Sequence, residues 1–129
     1  MLEKAIFTRL STDAGITALA GNRIYPQILP QNPTLPAITY FRVSTTKPYA
    51  QSNSVNIAQA RLQISCWAET YSVMKSLVEA VRKSLDGFSG VVNGIQITSY
   101  LNTCYDLYDD DTGIYHGIVD FKIFYEEAI

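Results

Sequence analysis

The stretch from Ala58 to Phe88 constrains this chain more than any other, because its hydrophobic period changes once, cleanly, in the middle. Ala58, Ala60, Leu62, Ile64, Cys66 and Ala68 share one parity, and Gln59, Arg61, Gln63, Ser65 and Trp67 share the other. Strict alternation of this kind belongs to a strand with one buried face. Met74, Leu77, Val78, Val81 and Leu85 then recur at helical spacing, with Lys75, Glu79, Arg82 and Lys83 elsewhere on the cylinder. Thr70 is placed to cap the helix N-terminus and Gly87 to leave its C-terminus in a left-handed conformation. A half-buried strand feeding an amphipathic helix can fold the helix back onto its own apolar face, and that pair is the expected seed of the core.

The rest of the chain is read against that pair. Leu2, Ile6, Phe7 and Leu10 form one stripe of a short helix, and Ser11 or Thr12 is placed to cap a second, over Asp13–Ala20, ended by Gly21. Pro26, Pro30, Pro33 and Pro36 then exclude helix and central strand, leaving an ordered extended loop or edge. Ala37–Ser44 is β-rich and reads as the first full strand. A polar loop over about residues 45–57 follows, long enough to be functional or disordered. After the helix, Asn93-Gly94 between apolar residues signals a two-residue hairpin. Ile95, Ile97, Leu101, Tyr105 and Leu107 share a parity in a long strand. Asp106–Gly113 reads as an acidic turn, and Tyr115, Val119, Phe121, Ile123 and Tyr125 share a parity in the last strand. The resulting expectation is one α+β domain over residues 1–129, ordered α-β-β-α-β-β. It has an antiparallel sheet of about four strands, with helices packed on one face as a two-layer sandwich.

Tyr40, Trp67, Tyr100, Ile118 and Phe124 fall on the nominally polar parity of their strands. Either a loop covers them or that face meets another subunit, since aromatic-rich exposed patches mark contact surfaces. Lys47 and Tyr49 in the long loop are further interface candidates, as parts of an arm that orders on a neighbour.

Catalytic and ligand-binding signatures are thin. His116 is the single histidine, with no G-x-S-x-G elbow and no spacing that pairs it with Cys66 or Cys104. Asp106, Asp109, Asp110 and Asp111 lack the alternating ligands and terminal Glu of an EF-hand loop. P-loop, G-x-G-x-x-G and C-x-x-C patterns are absent. No cofactor, no metal and no enzymatic activity are expected. A net charge of −2, with the basic residues scattered, argues against a binder held by phosphate contacts. No apolar run approaches the roughly 20 residues of a membrane span, and the N-terminus lacks a signal-peptide pattern. A cytosolic assembly or binding module with two reduced thiols is the expectation.

An ordered series of short motifs adds a family resemblance. It runs through Arg23-Ile24-Tyr25-Pro26, Leu35-Pro36-Ala37-Ile38 with Tyr40, Ala60–Ala68, Leu85-Asp86-Gly87-Phe88, Thr112-Gly113-Ile114-Tyr115 and Asp120-Phe121. In that order and spacing the chain resembles, over nearly its whole length, the small tail-completion proteins of long-tailed bacteriophages, the tail terminator or tail-to-head joining proteins. The resemblance implies a non-enzymatic virion protein at the head-proximal end of the tail, present in the host cytoplasm during assembly. Such a protein forms a ring, typically of six copies, caps the tail tube and joins it to the head. Its implied partners are copies of itself, the major tail tube protein and a head completion or stopper protein, with no membrane. Six copies at −2 each would carry −12, so DNA would pass the channel without sticking. The alternatives are another neck or tail ring component, such as a head-side stopper or a tube subunit, and a small prophage-encoded binding module or enzyme.

Overall fold

A computed structural model describes residues 2–46 and 57–126 of the chain. Its centre is the predicted strand and helix. Strand β3 (Ile57–Ala68) buries Ala58, Ala60, Leu62, Ile64, Cys66 and Ala68 completely. Helix α3 (Tyr71–Leu85) lies against it through Met74, Leu77, Val78, Val81 and Leu85. Thr70 caps that helix as expected: its backbone is extended and its Oγ1 accepts from the Val73 amide at 3.3 Å. Gly87 leaves the helix at φ 75°, the left-handed conformation that glycine adopts without steric cost.

Two helices precede the sheet, α1 (Leu2–Ser11) and α2 (Ala14–Ala20). The cap of α2 is Asp13, whose Oδ1 accepts from the Ile16 amide at 3.1 Å. Ser11 and Thr12 were the expected caps, but their hydroxyls turn back to the Thr8 carbonyl and close α1 instead. Arg9 ties α1 to the C-terminal end of α3. Its guanidinium donates to the Ser84 carbonyl at 2.9 and 3.2 Å and lies 4.0 Å from the Phe88 ring centre. Ser99 Oγ, fully buried, donates to the Leu85 carbonyl at the same helix end.

The sheet corrects the expected architecture. It has six strands, not about four, and it is mixed, not antiparallel. With β1 (Ile24–Pro26), β2 (Ala37–Thr46), β4 (Phe88–Val92), β5 (Ile95–Asp109) and β6 (Ile114–Glu126), the spatial order is β1-β2-β3-β6-β5-β4. The chain order is therefore α-α-β-β-β-α-β-β-β, and the α-β-β-α-β-β two-layer arrangement does not hold; the sheet curls as a half-barrel. The two strands beyond the expected four are both short edges, one where the proline-rich segment was read as loop or edge and one at the expected hairpin. β1 ends on Pro26 inside the proline-rich segment and pairs parallel to β2, Ile24 opposite Ile38. An edge position is where a strand tolerates proline. β4 is the first arm of the Asn93-Gly94 hairpin, with φ 51° and 79° at the two turn residues, as a type I′ turn requires.

β3 and β6 are the two central strands, and β6 pairs with β3 over Tyr115–Glu126 and with β5 over Ile114–Tyr125 apart from the bulge. Gly117 lies where α3 crosses β6, close to Met74 and Val78. Most of the long polar loop expected over about residues 45–57 lies outside the described residues, although β2 continues through Thr45 and Thr46 and β3 begins at Ile57.

Candidate assembly surface

Residues of β3 and β6 that alternate with the core set project onto the sheet face turned away from α3. Registers across β2, β3, β6 and β5 arrange them in rows. Ala37, Trp67, His116 and Leu107 form the first row, and Thr39, Ser65, Ile118 and Tyr105 the second. Trp67 and His116 stack with centroids 3.7 Å apart and 12° between planes. Trp67 Nε1 donates to Thr39 Oγ1 at 2.9 Å, fixing the indole along the strand. His116 Nε2 is buried without a hydrogen-bond partner, and burial lowers the His116 pKa below the ordinary histidine range. Ile118 is 5% exposed. Beyond it Asp120, 1% exposed, receives Arg61 through Nε at 2.7 Å and Nη2 at 2.6 Å. That pairing raises the Arg61 pKa still further, first through the hydrogen bond and then through the charge of Asp120. Nearer the other end, Tyr100 and Phe124 meet edge to face at 6.4 Å and are both exposed.

Four of the expected interface residues therefore lie on one face: Trp67 half-buried, Ile118 buried, Tyr100 and Phe124 exposed. Tyr40 does not. It pairs with Ile64, faces the helices, is 5% exposed and approaches Phe7 of α1 at 6.5 Å. Burial, and then Glu3, raise its hydroxyl pKa. Alternation could not place Tyr40, because Ala37 and Ile38 at the start of β2 are both fully buried; the register with β3 decides the side. Lys47 and Tyr49 lie outside the described residues.

Two exposed residues on this face were assigned by parity to the core. The register of β5 on β6 shifts between Leu101 and Thr103, leaving Asn102 as the extra residue of a β-bulge. Every side chain beyond it changes sides. Tyr105 and Leu107 go to the open face, each 47% exposed, while Cys104, Asp106 and Tyr108 turn toward the helices. Asp106 there pairs with Lys75 of α3 at 3.1 Å, and Tyr108 packs on Tyr115 at 4.7 Å. The one signal in the sequence was the polar pair Asn102-Thr103 interrupting the alternation.

The described residues assemble little catalytic chemistry. The Cys66 thiol is fully buried, and burial pushes its pKa up, away from a reactive thiolate. In the acidic turn, Asp109 accepts from the Asp111 amide at 3.0 Å and from Thr112 Oγ1 at 2.9 Å, so its carboxylate closes the turn. No group of three or more His, Cys, Asp or Glu among the described residues could hold a metal ion. A groove of about 650 Å³ runs between α2 and α3 past Asp13, Leu19, Tyr71, Lys75 and Glu79, open to solvent along its length. No described helix is long and apolar enough to cross a membrane.

A family model described as "Tail completion protein gp17" matches residues 4–126. Among solved structures, a chain described as "Virion of native gene transfer agent (GTA) particle" is similar with a TM-score of 0.78 at 17% identity. The match covers 98% of this chain and 95% of that one, a likeness of fold. No curated protein matches.

Proposed function

Because this chain belongs to the tail completion protein gp17 family, a family of structural tail proteins of phage-like virions, we propose that it completes the tail at its head-proximal end. Copies close into a ring of six on the last layer of the tail tube, stop tube growth and present a surface to a head completion or stopper protein. The protein acts by contact and carries no reaction. The supporting observation is the open sheet face, where Tyr100, Phe124, Tyr105 and Leu107 stand exposed. Apolar side chains gathered on one face suit a surface that another protein covers. The ring's net negative charge lets DNA pass through its channel without specific contacts.

The test is electron microscopy of particles made in cells lacking this chain. Filled heads beside detached tails of uncontrolled length are the expected result. Joined particles with normal tails would refute the capping role, and complete absence of tails would assign the chain to the tube instead.

A further inference from the structure

The outer edge of β5 is open over most of its length. β4 pairs only with Ile95–Ser99, and among the described residues no strand lies beside Tyr100–Asp109. The Leu101 amide points away from β6 and is taken by Asp86 Oδ1 at 3.0 Å. Cys104, Asp106 and Tyr108 stand opposite Val119, Gly117 and Tyr115, in the same alternation on β6 as Phe121 opposite Leu101. Their amides therefore point outward as well. Proteins blunt such an edge with proline, lysine or a cover. Tyr100–Asp109 contains neither residue, its one protective feature is the bulge at Asn102 near its start, and Tyr100, Tyr105, Leu107 and Tyr108 along it are 47% to 52% exposed.

The same chain carries a matching edge. β1 pairs with β2 only at Ile38–Tyr40, leaving Phe41–Thr46 without a described neighbour on that side. Counting across the antiparallel pairs β2–β3, β3–β6 and β6–β5, β2 runs opposite to β5. A second copy related by rotation about an axis tilted to the strands thus offers β2 to β5 close to antiparallel. The covered parts are staggered: β4 shields the end of β5 level with Thr46, and β1 shields the end of β2 level with Leu107. Sliding one copy along the strands brings open edge to open edge, and a stagger of this kind is what tilted strands need to close a ring. Strand direction and stagger, rather than charge, select this pairing, since Arg42 is already held by Glu3 at 2.7 Å and Asp106 by Lys75 at 3.1 Å.

We infer that the β5 edge Tyr100–Asp109 receives the β2 edge Phe41–Thr46 of a second copy by antiparallel strand addition. Repeated head to tail, this contact closes the ring. It rests on the ring reading above and gives that ring a heterologous contact made of two different edges of one chain. The bulge at Val43 keeps the β2 segment short, so closure depends on all copies engaging together.

The test replaces the natural chain, in cells making the particle, with Asp106→Pro or Asp106→Ala. Both lose the carboxylate that holds Lys75, but only proline removes the outward amide, at an edge position that tolerates it. Asp106→Ala is expected to give normal, joined tails, and Asp106→Pro to give none while melting within a few degrees of the alanine variant. A cysteine at Thr45, on the same side of the sheet as Cys104, is expected to give a ladder of disulfide-linked oligomers up to the ring. If Asp106→Pro fails to fold, that ladder decides: its presence supports the pairing and its absence overturns it. Normal tails with Asp106→Pro, or dimers linked through Cys104 of both copies in the unsubstituted chain, would overturn the pairing while the capping role stands. Normal tails without any copy of the chain would refute the capping role itself.

Discussion

Gly117→Ala tests whether the contact between β6 and α3 is as close as the structure shows. A Cβ at this position would stand 2.5 Å from Val78 Cγ2 and 2.7 Å from Met74 Sδ. Carbon atoms in contact sit about 3.5 to 4.0 Å apart, so the overlap with Val78 is about 1 Å. Met74 can swing, since its thioether chain has three rotatable bonds. Val78 cannot do so cheaply: it is 1% exposed, and valine in a helix keeps one strongly preferred rotamer. The backbone of Gly117 is outside the left-handed region, so alanine is conformationally allowed there. In open space the change would stabilise the fold by about 0.4 to 1 kcal/mol, through the unfolded chain. Overpacking costs about 1 to 3 kcal/mol, and an overlap of this size against a fixed valine belongs in the upper half of that range, which decides the sign and leaves a net loss of about 1 to 2 kcal/mol. For a domain of this size that lowers the melting temperature by roughly 4 to 8 °C. Thermal and urea unfolding followed by circular dichroism measure it. Val78→Ala removes the clashing methyl, so the double variant is expected to lose less than the two single losses added. A Gly117→Ala protein as stable as the parent, or losses that simply add, would refute the close approach.

Three further outcomes follow from the same packing. Arg61→Ala leaves Asp120 buried without its cation. It is expected to lower the urea midpoint, by less than breaking a fully buried pair would because Arg61 is half exposed, and Asp120→Asn in that background recovers part of the loss. Thr70→Ala removes the cap of α3 and is expected to cost about 1 kcal/mol in the same assay. Burial holds the folded His116 pKa below its unfolded value of about 6.5, so the unfolded chain binds the proton first as pH falls. Its contribution to stability is full above that value and is lost as pH falls below it toward the folded pKa. Thermal unfolding across pH 5 to 8, with Trp67 stacked on His116 as the fluorescent reporter, should show a slope that His116→Phe removes.

What could be read from the sequence was whatever one local period determines. β3 and α3 each bury a single face, so alternation and helical spacing placed Ala58–Ala68 and Met74–Leu85 correctly. Asn93-Gly94 named its own turn. β1 and β4 carry no such period: β1 exists because Ile24 meets Ile38 across the proline-rich loop, and β4 because the hairpin holds it against Ile95–Ser99. The first is a tertiary fact, as is the side taken by Tyr40, whereas the second is the other arm of the turn that Asn93-Gly94 had named. β5 differs, since its parity was legible and still misled. One extra residue, Asn102, exchanges the two faces for the second half of the strand, and the open face owes Tyr105 and Leu107 to it. Deleting Asn102 tests that account. With the extra residue gone, Leu101 runs straight into Thr103, and ordinary alternation gives Cys104, Asp106 and Tyr108 the helix side that the bulge now gives them. The deleted chain is expected to fold with Tyr105 and Leu107 still on the open face and with Cys104 no more reactive toward a thiol reagent than in the parent. Faster reaction of Cys104 in the folded deletant would mean that Asn102 is not the residue that exchanges the two faces.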